Sequence, residues 1–290
     1  VLERLRVSGV PNRVGEQRFG SVLNNHSVGR AMVLRRWDDA VRALLGPGPA
    51  MAGEGADGAA RALFASGDLQ GALGAFPRWR TAEREVLRGL VRGLPPERAF
   101  ALAGETERSF FLSAFQSAVF NRVLDARLDA GTLAALVEGD IACRHESRTF
   151  FDATREVLDA PDTPARLASG ELSATGPMWG AAMRRASGAV DDAEVRALAE
   201  FGVTPADLVE FERACPRLLD GARRPLRAPV TDPEVEGGVD EHGHFVRCAF
   251  ELPRGAFATV VMREVMKPAP GSEAGAGLAE DGGPAAEATA

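Results

Sequence analysis

One segment, residues 109–128, restricts the fold of this chain more than any other. Its apolar side chains recur at helical spacing on two adjacent lines, Phe111, Phe115 and Ala118 on one and Leu112, Val119 and Val123 on the other. Four polar residues interrupt this pattern, namely Ser113, Gln116, Ser117 and Asn121. The segment predicts a long helix, and packing in a core is the ordinary role of aromatic residues at this spacing.

Two other segments predict helices in the N-terminal third. Residues 28–45 have helical apolar spacing and end at Gly46-Pro47, and residues 82–94 have the same spacing and end at Pro95-Pro96. Between them, residues 46–60 are rich in Gly, Pro and Ala, which predicts a flexible loop.

Residues 130–229 predict a compact α-rich module. Short helices are expected at 133–137, 152–158 and 191–201, and Thr204-Pro205 supplies an N-cap and a first-turn proline for a helix through Arg213. The segment Thr-Gly-Pro-Met-Trp-Gly at 175–180 predicts a sharp turn around a packed Trp179.

Alternating polar and apolar residues predict strands near both ends. Residues 1–7 alternate in this way, as do 245–251 and 256–264. The last two segments are joined by 252–255 and predict a hairpin, with Gly255 available for a positive φ. Beyond Lys267 the residues are mainly Pro, Gly, Ala and acids, which predicts a disordered tail at 268–290.

The composition is that of a globular intracellular protein. Apolar residues make up 45% and charged residues 26%, and no run of eighteen apolar residues or signal-peptide pattern occurs. The cysteines Cys143, Cys215 and Cys248 form no CxxC pair, which argues against a zinc motif or a disulfide framework. We therefore expect a cytoplasmic protein without a metal.

The net charge of −7 argues against a nucleic-acid partner. Four of the acidic residues lie in the 23 residues after Lys267, however, and binding depends on a local patch rather than on the total charge. Because Lys267 is the only lysine, any such patch consists of arginine.

The segment Gly-Val-Pro-Asn-Arg-Val-Gly-Glu-Gln-Arg-Phe-Gly at 9–20, here called the opening loop, has two interpretations. It is too polar for a core strand and too rich in glycine for a helix. It is either a surface loop between two elements or a loop that places Asn12, Gln17 and Arg18 against a ligand carrying phosphate or base edges.

Four segments in order resemble the TruD family of tRNA pseudouridine synthases. They are the opening loop, Ser-Phe-Phe-Leu-Ser-Ala-Phe-Gln-Ser-Ala-Val-Phe-Asn at 109–121, Gly-Pro-Met-Trp-Gly at 176–180 and Leu-Pro-Arg-Gly-Ala-Phe-Ala-Thr-Val-Val-Met-Arg-Glu at 252–264. The resemblance implies an α+β fold in which a mostly antiparallel sheet flanked by helices, N-terminally incomplete, carries an inserted α-rich TRUD domain. The expected divisions are a partial catalytic domain at 1–103, the insertion at 104–229, a C-terminal hairpin completing the catalytic domain at 230–267 and the tail at 268–290.

The resemblance also implies an activity, the isomerisation of a tRNA uridine, expected to be uridine 13, to pseudouridine. No cofactor or metal is implied, tRNA is the partner, no membrane is involved, and the full-length protein is expected to be a monomer. The family's catalytic aspartate lies in a Gly-Leu-Lys-Asp-like motif before the opening loop, and we expect this sequence to lack it. Asp38, Asp39 and Asp140 are conceivable substitutes, although none follows a lysine.

The resemblance assigns roles to the matched residues. It implies that Asn12 hydrogen-bonds near the uridine and that Phe257 walls the uracil pocket. Gln17 and Arg18 would brace the loop or meet phosphate. Arg263 would pair with a carboxylate in the pocket, and an ordinary structural salt bridge is at least as good an explanation.

Two residues depart from the family pattern, because Arg13 and Val14 stand where the family has Tyr and Phe. Val14 cannot stack on a base, whereas Arg13 could lay its guanidinium on one. The phosphate candidates are six arginines, Arg13, Arg184, Arg185, Arg223, Arg224 and Arg227. A solvated charged face is the alternative explanation for them.

Three functions follow. The first is a tRNA pseudouridine synthase whose N-terminal part is missing from this sequence. Reading the coding frame upstream of Val1 for a Gly-Leu-Lys-Asp-like segment would test this hypothesis. The second is a non-catalytic RNA-binding relic of the family, and the third is a helical interaction module. A sheet without its N-terminal strands would expose an unpaired edge, so we also expect poor solubility or association.

Overall fold

The computed structural model describes residues 1–48, 57–241 and 243–267. Its α-helices are α1 Leu2–Ser8, α2 Asn25–Val33, α3 Trp37–Leu45, α4 Gly58–Ala65, α5 Leu69–Ala75, α6 Thr81–Val91, α7 Pro96–Ala101, α8 Glu105–Asp129, α9 Arg155–Asp159, α10 Thr163–Ala168, α11 Gly188–Ala199, α12 Pro205–Ala214 and α13 Ala258–Met266. Its strands are β1 Val10–Pro11, β2 Ile141–Arg144, β3 Thr149–Asp152, β4 Leu172–Met178, β5 Ala222–Pro225, β6 Arg227–Ala228, β7 Thr231–Asp240 and β8 Gly243–Glu251. Glu16–Phe19 of the opening loop form one 3₁₀ turn. The fold is α+β with antiparallel sheets, as expected.

The 25-residue helix α8 confirms the prediction for 109–128 and joins two cores. Its N-terminal half places Phe111 and Phe115 in a helical core shared with α2, α3, α6 and α7. Its C-terminal half places Phe120 and Leu124 in a second core against the sheet. At Gly29 the helix α2 comes so close to α8 that a Cβ atom would lie 2.1 Å from the carbonyl oxygen of Phe111.

Residues 130–229 contain more strand than the sequence predicts. Four antiparallel strands in the order β3-β2-β4-β5 form a sheet against α8. The expected turn at 175–180 is wrong over residues 175–178, which lie in β4 and pair with β5, although Trp179 is packed and 1% exposed as expected. No helix forms at 133–137, and the helix predicted at 152–158 begins only at Arg155.

The last two helices of this region confirm their predictions. Helix α11 covers most of 191–201, and α12 begins at Pro205. The side chain of Thr204 accepts a hydrogen bond from the backbone of Asp207, whose carboxylate binds the Thr204 backbone in return. Local sequence is enough to place such a helix start, because the capping bonds join residues only three apart.

The expected C-terminal hairpin is wrong in its pairing. Strand β8 pairs with β7, with Val235 opposite Cys248, and residues 258–266 form helix α13 instead of the second strand. The helix buries the consecutive residues Val260 and Val261, which a strand would have placed on opposite faces. Gly255 does take a positive φ of 92°.

Two N-terminal predictions are also wrong. Residues 2–8 form a helix, which buries Leu2 and ends at Gly9 with a φ of 72°. The helix expected at 28–45 is two helices, because the chain turns between α2 and α3, where Arg35 has a φ of 54°.

Part of the expected loop at 46–60 is helical, since α4 begins at Gly58. Residues 49–56 of that loop and the expected tail at 268–290 lie outside the described residues.

A third core ties the N-terminal residues to the C-terminal ones. Leu2 and Val10 pack with Ala228, Val230, Val260 and Val261. Strand β1 pairs antiparallel with β6, which puts Val10 opposite Ala228. The opening loop therefore starts from a fixed point beside β6 and α13.

The ribbon formed by β7 and β8 has exposed apolar side chains at Val235, Val239 and Val246. This exposure agrees with the expectation of association, which stays a prediction. Among the helices of the described residues, none is long and apolar enough to cross a lipid bilayer. All three cysteines are free.

Candidate functional site

The side chain and backbone of Asn12 attach the opening loop to the end of β5. The backbone N–H of Asn12 donates to the carbonyl of Leu226 at 2.8 Å, and its Nδ2 donates to the carbonyl of Pro225 at 2.8 Å. Asn12 is 9% exposed, so these bonds form in a largely dry environment. The amide thus fixes where the loop leaves the sheet.

Helix α8 holds the next part of the loop through Asn121. The backbone N–H of Val14 donates to Asn121 Oδ1 at 2.9 Å, and Asn121 Nδ2 donates to the carbonyl of Val14 at 2.9 Å. One side-chain amide therefore satisfies both backbone groups of Val14, which is itself 4% exposed.

An apolar wall forms where the loop meets the start of α13. Val14 packs in the second core with Phe120, and Phe257 packs against the same cluster. A Cβ atom at Gly15 would lie 3.3 Å from Cδ1 of Phe257, so the ring lies directly against the loop backbone. The structure brings together Asn12, Val14 and Phe257, which sequence reasoning proposed as neighbours.

Arg224 crosses this wall and is the site's main cation. Its Nη2 donates to Asn12 Oδ1 at 2.6 Å and to the carbonyl of Gly255 at 2.8 Å, and its guanidinium carbon lies 5.4 Å from the centre of the Phe120 ring. Oxygens of amides and carbonyls hold it, and within the described residues no carboxylate pairs with it. Burial, together with the positive charge of Arg18, lowers the pKa of Arg224 to about 10.

This environment favours an anion beside Arg224. A half-buried cation without a counter-charge is unfavourable, and a negative group placed beside it removes part of that penalty. Its Nη1 makes no hydrogen bond within the described part of the chain and is not among the buried polar atoms without a partner. It can therefore donate to a bound phosphate or carboxylate.

The other loop residues lie on the outer side. Arg18 lies over the ring of Phe110, 5.2 Å from its centre, and Gln17 is exposed. Arg263, on α13 and not on a strand, donates to Glu16 at 2.6 Å in an exposed ion pair. That ion pair matches the structural alternative for Arg263, with a carboxylate of the loop itself as the partner.

The remaining phosphate candidates are engaged within the protein. Four of them pair with carboxylates: Arg13 with Asp125, Arg184 with Asp152, Arg185 with Asp191, and Arg223 with Glu194. Arg227 is buried and donates to the carbonyls of Ser8, Leu167 and Leu172. Among the six, Arg224 has the donor best placed for a ligand.

The candidate acids lie apart from this wall. Asp38 and Asp39 are in the first turn of α3, where Asp39 accepts a hydrogen bond from Arg42 at 2.7 Å. Asp140 is 1% exposed and binds Arg127 at 2.6 Å and the backbone of residue 137 at 2.8 Å. Asp39 and Asp140 thus have structural partners within the protein.

Two glycines of the 176–180 segment allow close packing behind the site. A Cβ atom at Gly176 would lie 3.0 Å from the Phe120 ring, and one at Gly180 would lie 2.3 Å from the backbone N of Gly221. Gln116 of α8 donates to the carbonyl of Trp179 at 2.8 Å and links the two segments. The sequence motifs thus build the scaffold of the wall.

Sequence reasoning assigned no role to Asn121, Asp125 or Phe120, which all support the loop. A signal was present, because Ser117, Asn121 and Asp125 recur every fourth residue and so share one face of α8. A polar line along an otherwise apolar helix indicates that polar backbone is packed against it.

Comparisons of the sequence and of the structure with known proteins point to the same family. The family model for tRNA pseudouridine synthase D (TruD) matches residues 1–265. A protein of Geobacter sulfurreducens with that name is 40% identical over 269 residues, which cover 92% of this chain and 62% of the relative. A protein of the same name from Anaeromyxobacter dehalogenans is 31% identical over 263 residues, which cover 91% of this chain and 56% of that protein.

The crystal structure of the TruD protein of Methanosarcina mazei superposes with a TM-score of 0.77 at 30% identity, covering 92% of this chain and 63% of that one. The chain thus spans a little under two thirds of the length of these relatives.

Proposed function

Because this chain belongs to the TruD family, we propose that it binds a tRNA uridine at the wall formed by Asn12, Arg224 and Phe257, as part of a tRNA pseudouridine synthase. The observation that carries this proposal is the placement of a half-buried cation beside an aromatic ring and the loop. A nucleotide taken out of its stack needs both features, an apolar surface for the base and a cation for the phosphate.

The reaction is an isomerisation. The bond between C1′ and N1 of the uridine breaks, a bond between C1′ and C5 forms, the proton at C5 leaves and N1 takes up a proton. No oxidant, reductant or co-reactant enters the balance. The resemblance assigns the covalent step to an aspartate outside the matched segments, so we assign binding and positioning, and no catalytic role, to the residues described above.

In this proposal Phe257 faces the uracil ring and Arg224 binds the phosphate of the flipped nucleotide. Asn12 orients Arg224, since its Oδ1 accepts from Nη2 at 2.6 Å. Arg18 adds a second positive charge beside Arg224. We further propose uridine 13 as the target and the cytoplasm as the location.

The domain division is part of the proposal. The third core supports one catalytic body made of 1–103 and 230–267, because Leu2 and Val10 pack with Val260 and Val261. Residues 104–229 would form the insertion, although α8 contributes Phe111 to the helical core of the first part.

A second function, tRNA binding without conversion, is favoured by one observation. Arg13 and Val14 replace an aromatic pair, and Arg13 is turned away to Asp125 on α8. The loop therefore offers no stacking ring at these two positions.

The test uses the purified chain and an unmodified tRNA transcript. Gel shifts over a range of salt concentrations measure binding, and carbodiimide treatment with primer extension maps pseudouridine. Because the resemblance places the catalytic aspartate before the opening loop, conversion is assayed with the product of the whole coding frame. Conversion at position 13 by that protein supports the first function, and tRNA binding without conversion by it supports the second. Absence of binding by the folded chain at low salt would overturn both.

The residue-level test is Arg224→Gln with Arg155→Gln as the matched control, since Arg155 pairs with Asp159 on an exposed helix. Loss of one charged contact is expected to weaken tRNA binding about tenfold or more and to lower the salt slope by about 0.7–0.9. The control should bind like the parent chain. Equal affinity of the Arg224→Gln protein would remove Arg224 from the proposed site.

A further inference from the structure

A cavity that none of Asn12, Arg224 and Phe257 lines lies next to the end of the opening loop. It has a volume of about 220 Å³ and lies between the end of the opening loop, the start of α2, the N-terminus of α6 and the beginning of α8. Phe110, which carries Arg18 on its face, is part of the lining. The cavity is therefore adjacent to the loop that forms the proposed uridine site.

Trp79 lines this cavity, and its side chain is far more exposed than is usual for a tryptophan. Its side chain is 63% exposed, whereas Trp179 is 1% exposed and Trp37 packs against Phe100. The guanidinium of Arg80 lies over the Trp79 ring, 4.4 Å from its centre. With one face covered by Arg80, the exposed part of the ring presents its other face to solvent.

Buried charges fix Arg80 in this position. It pairs with Asp57 at 3.0 Å and with Glu83 at 3.5 Å, and it donates to the hydroxyl of Ser21 at 2.7 Å. Arg61 pairs with the same two carboxylates and is buried. Arg61, Arg80 and Glu83 line the cavity, and together with Asp57 they form a cluster of two cations and two anions whose charges compensate each other beside the ring.

Residues that line the cavity, and one that neighbours Trp79 in the chain, supply groups that suit a nucleotide. Arg78, next to Trp79, is exposed and makes no hydrogen bond or ion pair within the described residues. Ser21 and Asn25 bring a hydroxyl and an amide to the cavity. A cavity of about 220 Å³ is below the range of roughly 300–1,000 Å³ usual for drug-sized ligands, which fits a single base better than a larger molecule.

We propose that Trp79 is a stacking platform for one unpaired base of the RNA, next to the flipped uridine, with Arg78 meeting its phosphate. Aromatic rings beside arginines are the usual means of binding single-stranded nucleic acid, because every base has a face that stacks. The proposal rests on the proposed tRNA binding and adds a second nucleotide site to it.

The test measures the fluorescence of Trp79 during titration with the unmodified tRNA transcript and with a short oligouridylate. Trp79→Phe keeps a ring, Trp79→Ala removes it, and Val209→Ala, an exposed position on α12, is the control. In the parent chain, bound tRNA should quench the exposed tryptophan. The quenching should disappear in Trp79→Phe while affinity stays within about threefold, and Trp79→Ala should bind about fivefold or more weakly.

The outcomes separate the two proposals. If the parent chain binds tRNA in gel shifts but Trp79→Ala binds equally well, or the fluorescence is unchanged, the platform is wrong and the uridine site stands. If the parent chain binds no tRNA, the proposed function itself fails. Weaker binding by Val209→Ala, equal to that of Trp79→Ala, would also overturn the platform.

Discussion

Asn121 is the residue whose replacement tests the opening loop most directly. In the parent chain, the side-chain amide of Asn121 bonds the N–H and the carbonyl of Val14 at 2.9 Å each. Asn121→Ala removes both partners. An unsatisfied buried group costs about 1–3 kcal/mol. Because Asn121 is only half-buried and water can reach part of the gap, we expect a total loss of about 2–3 kcal/mol in the free energy of unfolding.

Urea denaturation followed by far-UV circular dichroism measures this loss. The matched control is Arg122→Ala, the next residue of α8, whose ion pair with Glu200 is exposed and worth less than about 1 kcal/mol. Asn121→Asp keeps the acceptor for the Val14 N–H but turns a carboxylate toward the Val14 carbonyl. The Asn121→Asp variant should lose at least half as much free energy of unfolding as the Asn121→Ala variant.

The result that would refute this reasoning is an Asn121→Ala protein within about 0.5 kcal/mol of the parent chain, at the level of a neutral surface change. The same variant also tests the link to function. If the loop is displaced, tRNA affinity should fall together with stability. A destabilised protein with unchanged tRNA affinity would place the RNA elsewhere.

Three other predictions concern the scaffold. Gly176→Ala should lose about 1–3 kcal/mol by overpacking, since its Cβ would lie 3.0 Å from ring atoms, whereas Gly74→Ala meets no atom within 4 Å and should be neutral or slightly stabilising. Glu194→Gln should cost about 3–5 kcal/mol, because it leaves the buried Arg223 without its counter-charge. Burial lowers the pKa of His145, so stability should fall as pH drops below about 6.5, and less so in His145→Gln.

Urea midpoints provide the measurements for all three. For the glycines, equal midpoints of the two alanine variants would contradict the packing argument. For the ion pair, the double variant Glu194→Leu with Arg223→Met should recover much of the loss, and no recovery would contradict it. For His145, the unfolded chain binds more protons than the folded one in acid, so an unchanged pH dependence in the variant would exclude this residue as a contributor.

Local sequence was sufficient where the deciding interactions are local. The periodicity of α8 extends over many turns, and the capping box of α12 joins residues three apart. Gly255 was expected to take a positive φ, and it does. The ordered motifs also pointed to the TruD family, which the comparisons confirm.

Tertiary structure decided the elements whose local patterns are ambiguous. Short apolar alternation does not distinguish a strand from a helix. Residues 2–8 and 258–266 are helices because a common core buries Leu2 with Val260 and Val261. Strand β7 has glycines, acids and a proline, a composition unfavourable for a strand, and only its pairing with β8 makes it one.

The candidate site was also predicted only in part from the sequence. The sequence alone grouped Asn12, Val14 and Phe257 as residues of the uridine site through the motifs that resemble the family, and it named Arg224 only among the six candidate phosphate contacts. It could not show which arginines are neutralised, since Arg13 and Asp125, or Arg223 and Glu194, are far apart along the chain. Charge compensation depends on distances of a few ångströms, and the fold alone sets these.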